Sequence, residues 1–192
     1  MSQSKTGDGL LILNFSIDYR KNNDVSKDKS IYDRYLSGVQ YVKISTVSNI
    51  VNMVRRIRPE VLHLLARFNE QGLLLGSDGE SWGMGRLMKF CDEEGVRLLI
   101  IGSENQFSYI EDEIYDAKNL DLLVITERNK HYPNFLEKLI VGMANTGSFA
   151  KAYVNLAPQH ERAQKGLALP GSIAICPGKN GNSLMLWSEA QD

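Results

Sequence analysis

Two apolar runs decide the reading of this chain. They are Val61-Leu62-His63-Leu64-Leu65-Ala66-Arg67-Phe68 and Val96-Arg97-Leu98-Leu99-Ile100-Ile101-Gly102-Ser103-Glu104. Each is short, rich in Leu, Ile or Val, and almost free of polar interruption, as a strand buried on both faces should be. Both read as strands of a parallel sheet, and the strand, helix and strand over 41–65 read as a βαβ unit of that sheet. Chemistry in such sheets sits just beyond the C-terminal strand ends. Those ends carry Arg67 on one strand and Ser103-Glu104 on the other.

Working outward, the same logic orders the rest. Leu10 to Ile17 is a strong first strand after a polar lead, residues 1–9, that reads as disordered. Asp18 to Lys29, rich in Asn, Asp, Lys and Ser, reads as a long loop, and Ile31 to Gly38 as a short helix. Tyr41–Ser45 is a second strand. Thr46 or Ser48 caps a helix whose Val47, Ile50, Val51, Val54 and Ile57 share one face. Arg58-Pro59 stops it, because a residue before proline avoids the helical basin. Leu73–Leu75 is a short strand followed by the turn Gly76-Ser77-Asp78-Gly79. Trp82, Met84, Leu87, Met88 and Cys91 make a helical face ending at Gly95. Phe107, Ile110, Ile114 and Ala117 make another. Leu122–Thr126 is a strand. Two helices follow, near 134–144 and 148–157, the second with Phe149, Tyr153 and Leu156 on one side. Ile173–Cys176 and Leu184–Trp187 close the chain as a hairpin. The expected fold is α/β: a mainly parallel, three-layer sheet of about six strands with helices on both faces, residues 10–192 forming one domain.

Composition excludes several classes. The 192 residues carry a net charge of −1, far from the basic excess of a general nucleic-acid binder. Arg55, Arg56 and Arg58 form the densest basic cluster and read as a solvated helix face. No apolar run has the length of a membrane span, and the first residues lack a signal-peptide core. The two cysteines, Cys91 and Cys176, are far apart and outside any CxxC pair, which argues against a zinc site and fits a reducing cytoplasm. No cofactor and no metal is expected.

The chemistry-bearing candidates each have a plain alternative. His63 sits between Leu62 and Leu64 and reads first as a hydrogen-bonded core histidine, second as a catalytic base. Ser103 lacks the second glycine of a nucleophile elbow and reads first as a helix cap for Asn105 onward. Asp78 and Glu80 lie on a turn without calcium-loop spacing. Gly83-Met84-Gly85 lacks the third glycine of a phosphate loop. His131 and His160 have no partner at metal spacing.

The stretch from about Pro59 to Ala163 resembles the CHAT domain of the caspase-like cysteine protease superfamily. The resemblance lies in the order of elements: 61–67, 73–79, 81–94, 96–103, 105–119, 122–126 and the helices across 134–157, with Leu169-Pro170-Gly171-Ser172-Ile173 approaching a last strand. It implies a caspase-like fold. It places the family's histidine at Arg67 and its cysteine at Ser103, to within one residue. Arginine accepts no proton at neutral pH, and serine without a base is a poor nucleophile. The resemblance therefore implies a catalytically inactive domain working through a protein partner, in a bacterial signalling or defence complex. The alternative is a sensor for a small ligand such as a nucleotide, bound at the sheet edge by Arg67, Ser103, Glu104, Asn105 and Thr126. A hydrolase using Ser103 or Asp78 is the third reading.

Overall fold

The computed structural model describes residues 9–15, 25–36, 38–66, 68–102, 117–125, 132–163 and 172–175. Its centre is a six-stranded sheet. The strands are β1 (Leu10–Phe15), β2 (Gln40–Ile44), β3 (Val61–Leu65), β6 (Leu98–Gly102), β7 (Asp121–Ile125) and β8 (Ser172–Ile175), in the order β2-β1-β3-β6-β7-β8. All neighbours are parallel except β8, which runs antiparallel to β7. A separate hairpin pairs β4 (Leu73–Leu75) with β5 (Ser81–Gly83).

Alternation along each strand sends side chains to two faces. Leu11, Leu13, Leu62, Leu64, Leu99, Ile101, Leu122 and Val124 point to one face. There they meet α2 (Val47–Ile57) and α3 (Met84–Glu93). Leu10, Ile12, Val61, Leu65, Leu98, Ile100, Leu123 and Ile125 point to the other. That face is covered by α1 (Val25–Tyr35), α4 (Tyr132–Thr146) and α5 (Phe149–Ala163). Helices on both faces and a mainly parallel sheet match the expected α/β layering.

The helix ends follow their local chemistry. Thr46 caps α2 by accepting from the Asn49 amide at 3.1 Å. Arg58 closes α2 in the left-handed region, φ 51°, its amide donating to the Val54 carbonyl. Pro59 forbids a further helical residue. α3 ends in a Schellman turn: Val96 donates to the Cys91 carbonyl and Gly95 to that of Asp92. Gly95 takes φ 82° there, which a side chain would strain. On the opposite face Gly142 of α4 lies so close to Ala152 of α5 that an added Cβ would sit 3.0 Å from the alanine's.

Three expectations are corrected. The loop expected over 18–29 gives way at Val25 to α1, which ends at Tyr35. Among its described side chains Asp28, Ile31 and Tyr32 are buried, as is Leu36 just beyond it, while Lys29 and Asp33 pair in solvent. Trp82 belongs to β5, paired with Leu74, and the helix begins only at Met84. The strands β2 and β3 that flank α2 are not neighbours, since β1 lies between them. The last described strand starts at Ser172, and the Leu184–Trp187 partner lies outside the described residues. So do the polar lead at 1–8 and the helix expected around Phe107–Ile114. Among the described residues no helix is long and apolar enough to cross a membrane.

Candidate functional site

The expected site is the C-terminal edge of the sheet. Leu65 of β3 is in register with Gly102 of β6, and Gly102 with Ile125 of β7. The Ala66 amide donates to the Gly102 carbonyl at 3.1 Å, which extends the β3–β6 ladder to the edge. Three adjacent strands thus end level, immediately before positions 67, 103 and 126. Arg67, Ser103, Glu104, Asn105 and Thr126 themselves lie outside the described residues. The parallel order reverses between β1 and β3, so β3 borders the switch point, while β6 and β7 lie one and two strands further along.

The chain beyond Arg67 is firmly held. Phe68 is buried and bridges Leu74 of the hairpin. The Asn69 side chain accepts from the amides of Gln71 at 3.0 Å and Leu73 at 2.8 Å. A one-residue shift in the resemblance would therefore put a buried phenylalanine at the histidine position. Neither Ala66 nor Phe68 has a proton-accepting side chain.

His63 and Cys91 are the two side chains of dyad chemistry that the structure describes. His63 points to the α1 face, where its Nδ1 lies 2.9 Å from the Tyr32 hydroxyl and the two rings meet edge-on. Cys91 points from α3 to the opposite face and is a free thiol. Both are fully buried. The sheet lies between them, so they cannot form a dyad. Burial, reinforced by Asp92 and Glu94, pushes the Cys91 thiol far above its usual range and keeps it from acting as a nucleophile.

The turn at Asp78 is built from its own side chains. Asp78 accepts from the Glu80 amide at 3.2 Å, and Gly79 takes φ 82°. Glu80 accepts from the Trp82 indole at 3.1 Å and from Ser48 at 3.3 Å, and Arg86 stacks over the Trp82 ring. The Ser77 amide donates to the Ser45 carbonyl at 2.8 Å, tying this turn to the start of α2. Among the described residues no group of His, Cys, Asp and Glu could hold a metal. In the basic cluster, Arg55 pairs with Glu94 at 2.7 Å and lies over Phe90, and Arg58 caps α2. Asp28 and Tyr32, both fully buried on α1, escaped sequence reading. Their only signal is a spacing of four in a polar stretch.

No family model and no curated protein sequence matches the chain. Among solved structures, pro-Sf-caspase-1 superposes with a TM-score of 0.56 over 89% of this chain and 92% of its own, at 13% identity. The fold is caspase-like. At that identity the likeness concerns architecture alone. Two other structures are an alanine–glyoxylate aminotransferase from Nostoc sp. (TM-score 0.40, 12% identity, 85% of this chain and 44% of the other) and an ABC transporter permease from the Pseudomonas fluorescens group (0.38, 14%, 78% and 38%). Their scores are too low to support a shared fold. The caspase-like sheet here runs with β3 and β6 as hydrogen-bonded neighbours.

Proposed function

We propose that this caspase-like domain has lost protease chemistry and acts by binding another protein, in a bacterial signalling or defence complex. One observation carries the reading. The two buried groups that could form a histidine–cysteine dyad, His63 and Cys91, face opposite sides of the sheet, while the positions beyond the two strand ends are arginine and serine. A cysteine protease needs a thiolate beside a proton acceptor. The low cysteine content and the buried free thiol support placing the domain in a reducing cytoplasm. The CHAT-type resemblance supplies the protein partner, and that step is one of analogy.

The purified chain is expected to leave a panel of peptide substrates intact. Cleavage that disappears in Ser103→Ala would overturn the proposal.

A second reading is favoured by the strand order. The sheet reverses direction of build between β1 and β3, and open α/β sheets bind small ligands in the crevice at such a point. A thermal-shift screen against nucleotides, cyclic ones included, separates the readings. Saturable stabilisation supports a ligand sensor, since binding to the native state raises apparent stability. No shift, with a defined protein complex recovered from the adjacent genes, supports the first.

A further inference from the structure

The 26 residues from Arg34 to Pro59 carry five lysines and arginines and no aspartate or glutamate, in a chain whose net charge is −1. They include β2 and α2 and end in the arginine cluster at the C-terminal end of α2. The arginines there differ in what holds them. Arg55 pairs with Glu94 at 2.7 Å and lies over Phe90. Arg56 and Arg58 are exposed, and with the described residues neither forms an ion pair. Arg56 reaches back to the Met53 sulfur at 3.1 Å. Glu60, next to the cluster in sequence, is engaged with Arg97 at 3.8 Å. Arg58 also departs from a backbone rule. Among the described residues it alone, glycines aside, has a positive φ, 51°. Glycine suits such a helix end, since a side chain in the left-handed region crowds the backbone. The cap bond to Val54 comes from the Arg58 amide and asks nothing of its side chain. The dipole of α2 favours cations in the last turn, but it does not require a side chain at the left-handed position. Within the described fold the Arg58 guanidinium therefore has no use, while its backbone is strained.

We propose that Arg56 and Arg58 bind a carboxylate-rich, extended segment of a partner protein. This rests on the reading of the domain as a protein-binding module. A guanidinium holds a carboxylate by a two-point, charge-assisted contact. On an extended chain, alternate side chains point to one side about 7 Å apart. Acids at that spacing match two arginines set two residues apart at a helix end. The exposed Asn49 and Asn52 before them are neutral, and α2 carries no acid, so an anionic segment meets no like charge on the helix. Glu94 and Glu60, next to the cluster, confine the cationic area to a few side chains. That suits a short acidic peptide and disfavours the continuous phosphate run of a nucleic acid. Both arginines are exposed, so the contact is screened by salt.

Fluorescence anisotropy of the full chain with a labelled peptide of alternating Glu and Ser tests this, with a Gln-Ser peptide as the neutral control. Saturable binding of the acidic peptide is expected, absent for the control and weakened by added salt. Arg58→Gly should weaken it by about fivefold. The thermal midpoint of that variant should hold or rise, because glycine fits the left-handed position. Arg56→Gln should weaken binding by a similar factor. No saturable binding, equal binding by Arg58→Gly and Arg56→Gln, or tighter binding of a single-stranded DNA of the same charge overturns the proposal. Its failure is distinguishable from failure of the reading beneath it. A defined partner complex that forms equally well with the Arg56→Gln, Arg58→Gly double variant refutes this contact and leaves the protein-binding reading intact. Substrate cleavage that disappears in Ser103→Ala, with acidic-peptide binding unchanged, refutes the inactive-protease reading and supports this contact.

Discussion

The two faces of the sheet are packed alike and filled differently. Among the described residues, the side chains buried against α2 and α3 are apolar, the Cys91 thiol and the Trp82 indole included. Against α1, α4 and α5 the packing is equally tight, yet Asp28, His63, Asp121 and Ser148 are buried on that side. Burying a polar group costs free energy unless a hydrogen bond offsets it. An apolar face can be assembled from almost any well-fitting hydrophobic set, whereas a polar one demands particular partners in particular places. The first face is a scaffold, and the second is where this chain departs from a generic core.

Neighbouring residues of one strand probe the contrast most strongly. Ile101 points to the apolar face and Ile100 to the polar one, and both are fully buried. Either truncation to alanine should cost about 2–5 kcal/mol in denaturant unfolding. Only Ile100→Ala, which removes a cross-strand neighbour of His63, should also lower the hydrogen-exchange protection of α1. Equal α1 protection in the two variants would erase the distinction between the faces.

A smaller effect is expected from Cys91→Ser. Among the described residues the side chains packed around it are apolar, so the loss should be about 1–3 kcal/mol. The wild-type thiol should resist alkylation until the chain unfolds, which peptide mapping can read separately from Cys176. Fast labelling under native conditions would show that this face opens readily.

The smallest effect concerns the rim of the polar face. Hydrogen bonding to Glu137 holds the Tyr35 phenol above its ordinary value of 10.0, with desolvation and the carboxylate's charge adding to it. The folded state therefore keeps this proton more tightly than the unfolded one. The contribution is present below about pH 10 and is lost as pH rises through the folded value. An ultraviolet titration should show a late-ionising tyrosine step that Glu137→Gln moves to lower pH. Persistence of the late step in that variant would reassign it to another group.

The strand cores were legible because a strand covered on both faces needs an unbroken apolar run, and Leu62–Leu65 and Leu98–Ile101 supply one. Helix ends at Thr46, Arg58 and Gly95 were legible because capping and pre-proline effects act within a few residues. The start of α1 was not, since Asp28 looks like a loop residue until a sheet covers it. Trp82 was misplaced because Leu74 is its partner across the hairpin, and apolar spacing cannot tell such a pairing from a helical turn.

By itself the sequence determined the α/β class and the residue types beyond the strand ends: arginine after β3, serine and glutamate after β6, and no histidine or cysteine beside them. Only the tertiary structure decided that β1 inserts between β2 and β3, that β3 and β6 end level, and that His63 and Cys91 look away from each other. Those outcomes depend on contacts between residues far apart in the chain. Local pattern reports which side of a strand is buried. It does not report what buries it.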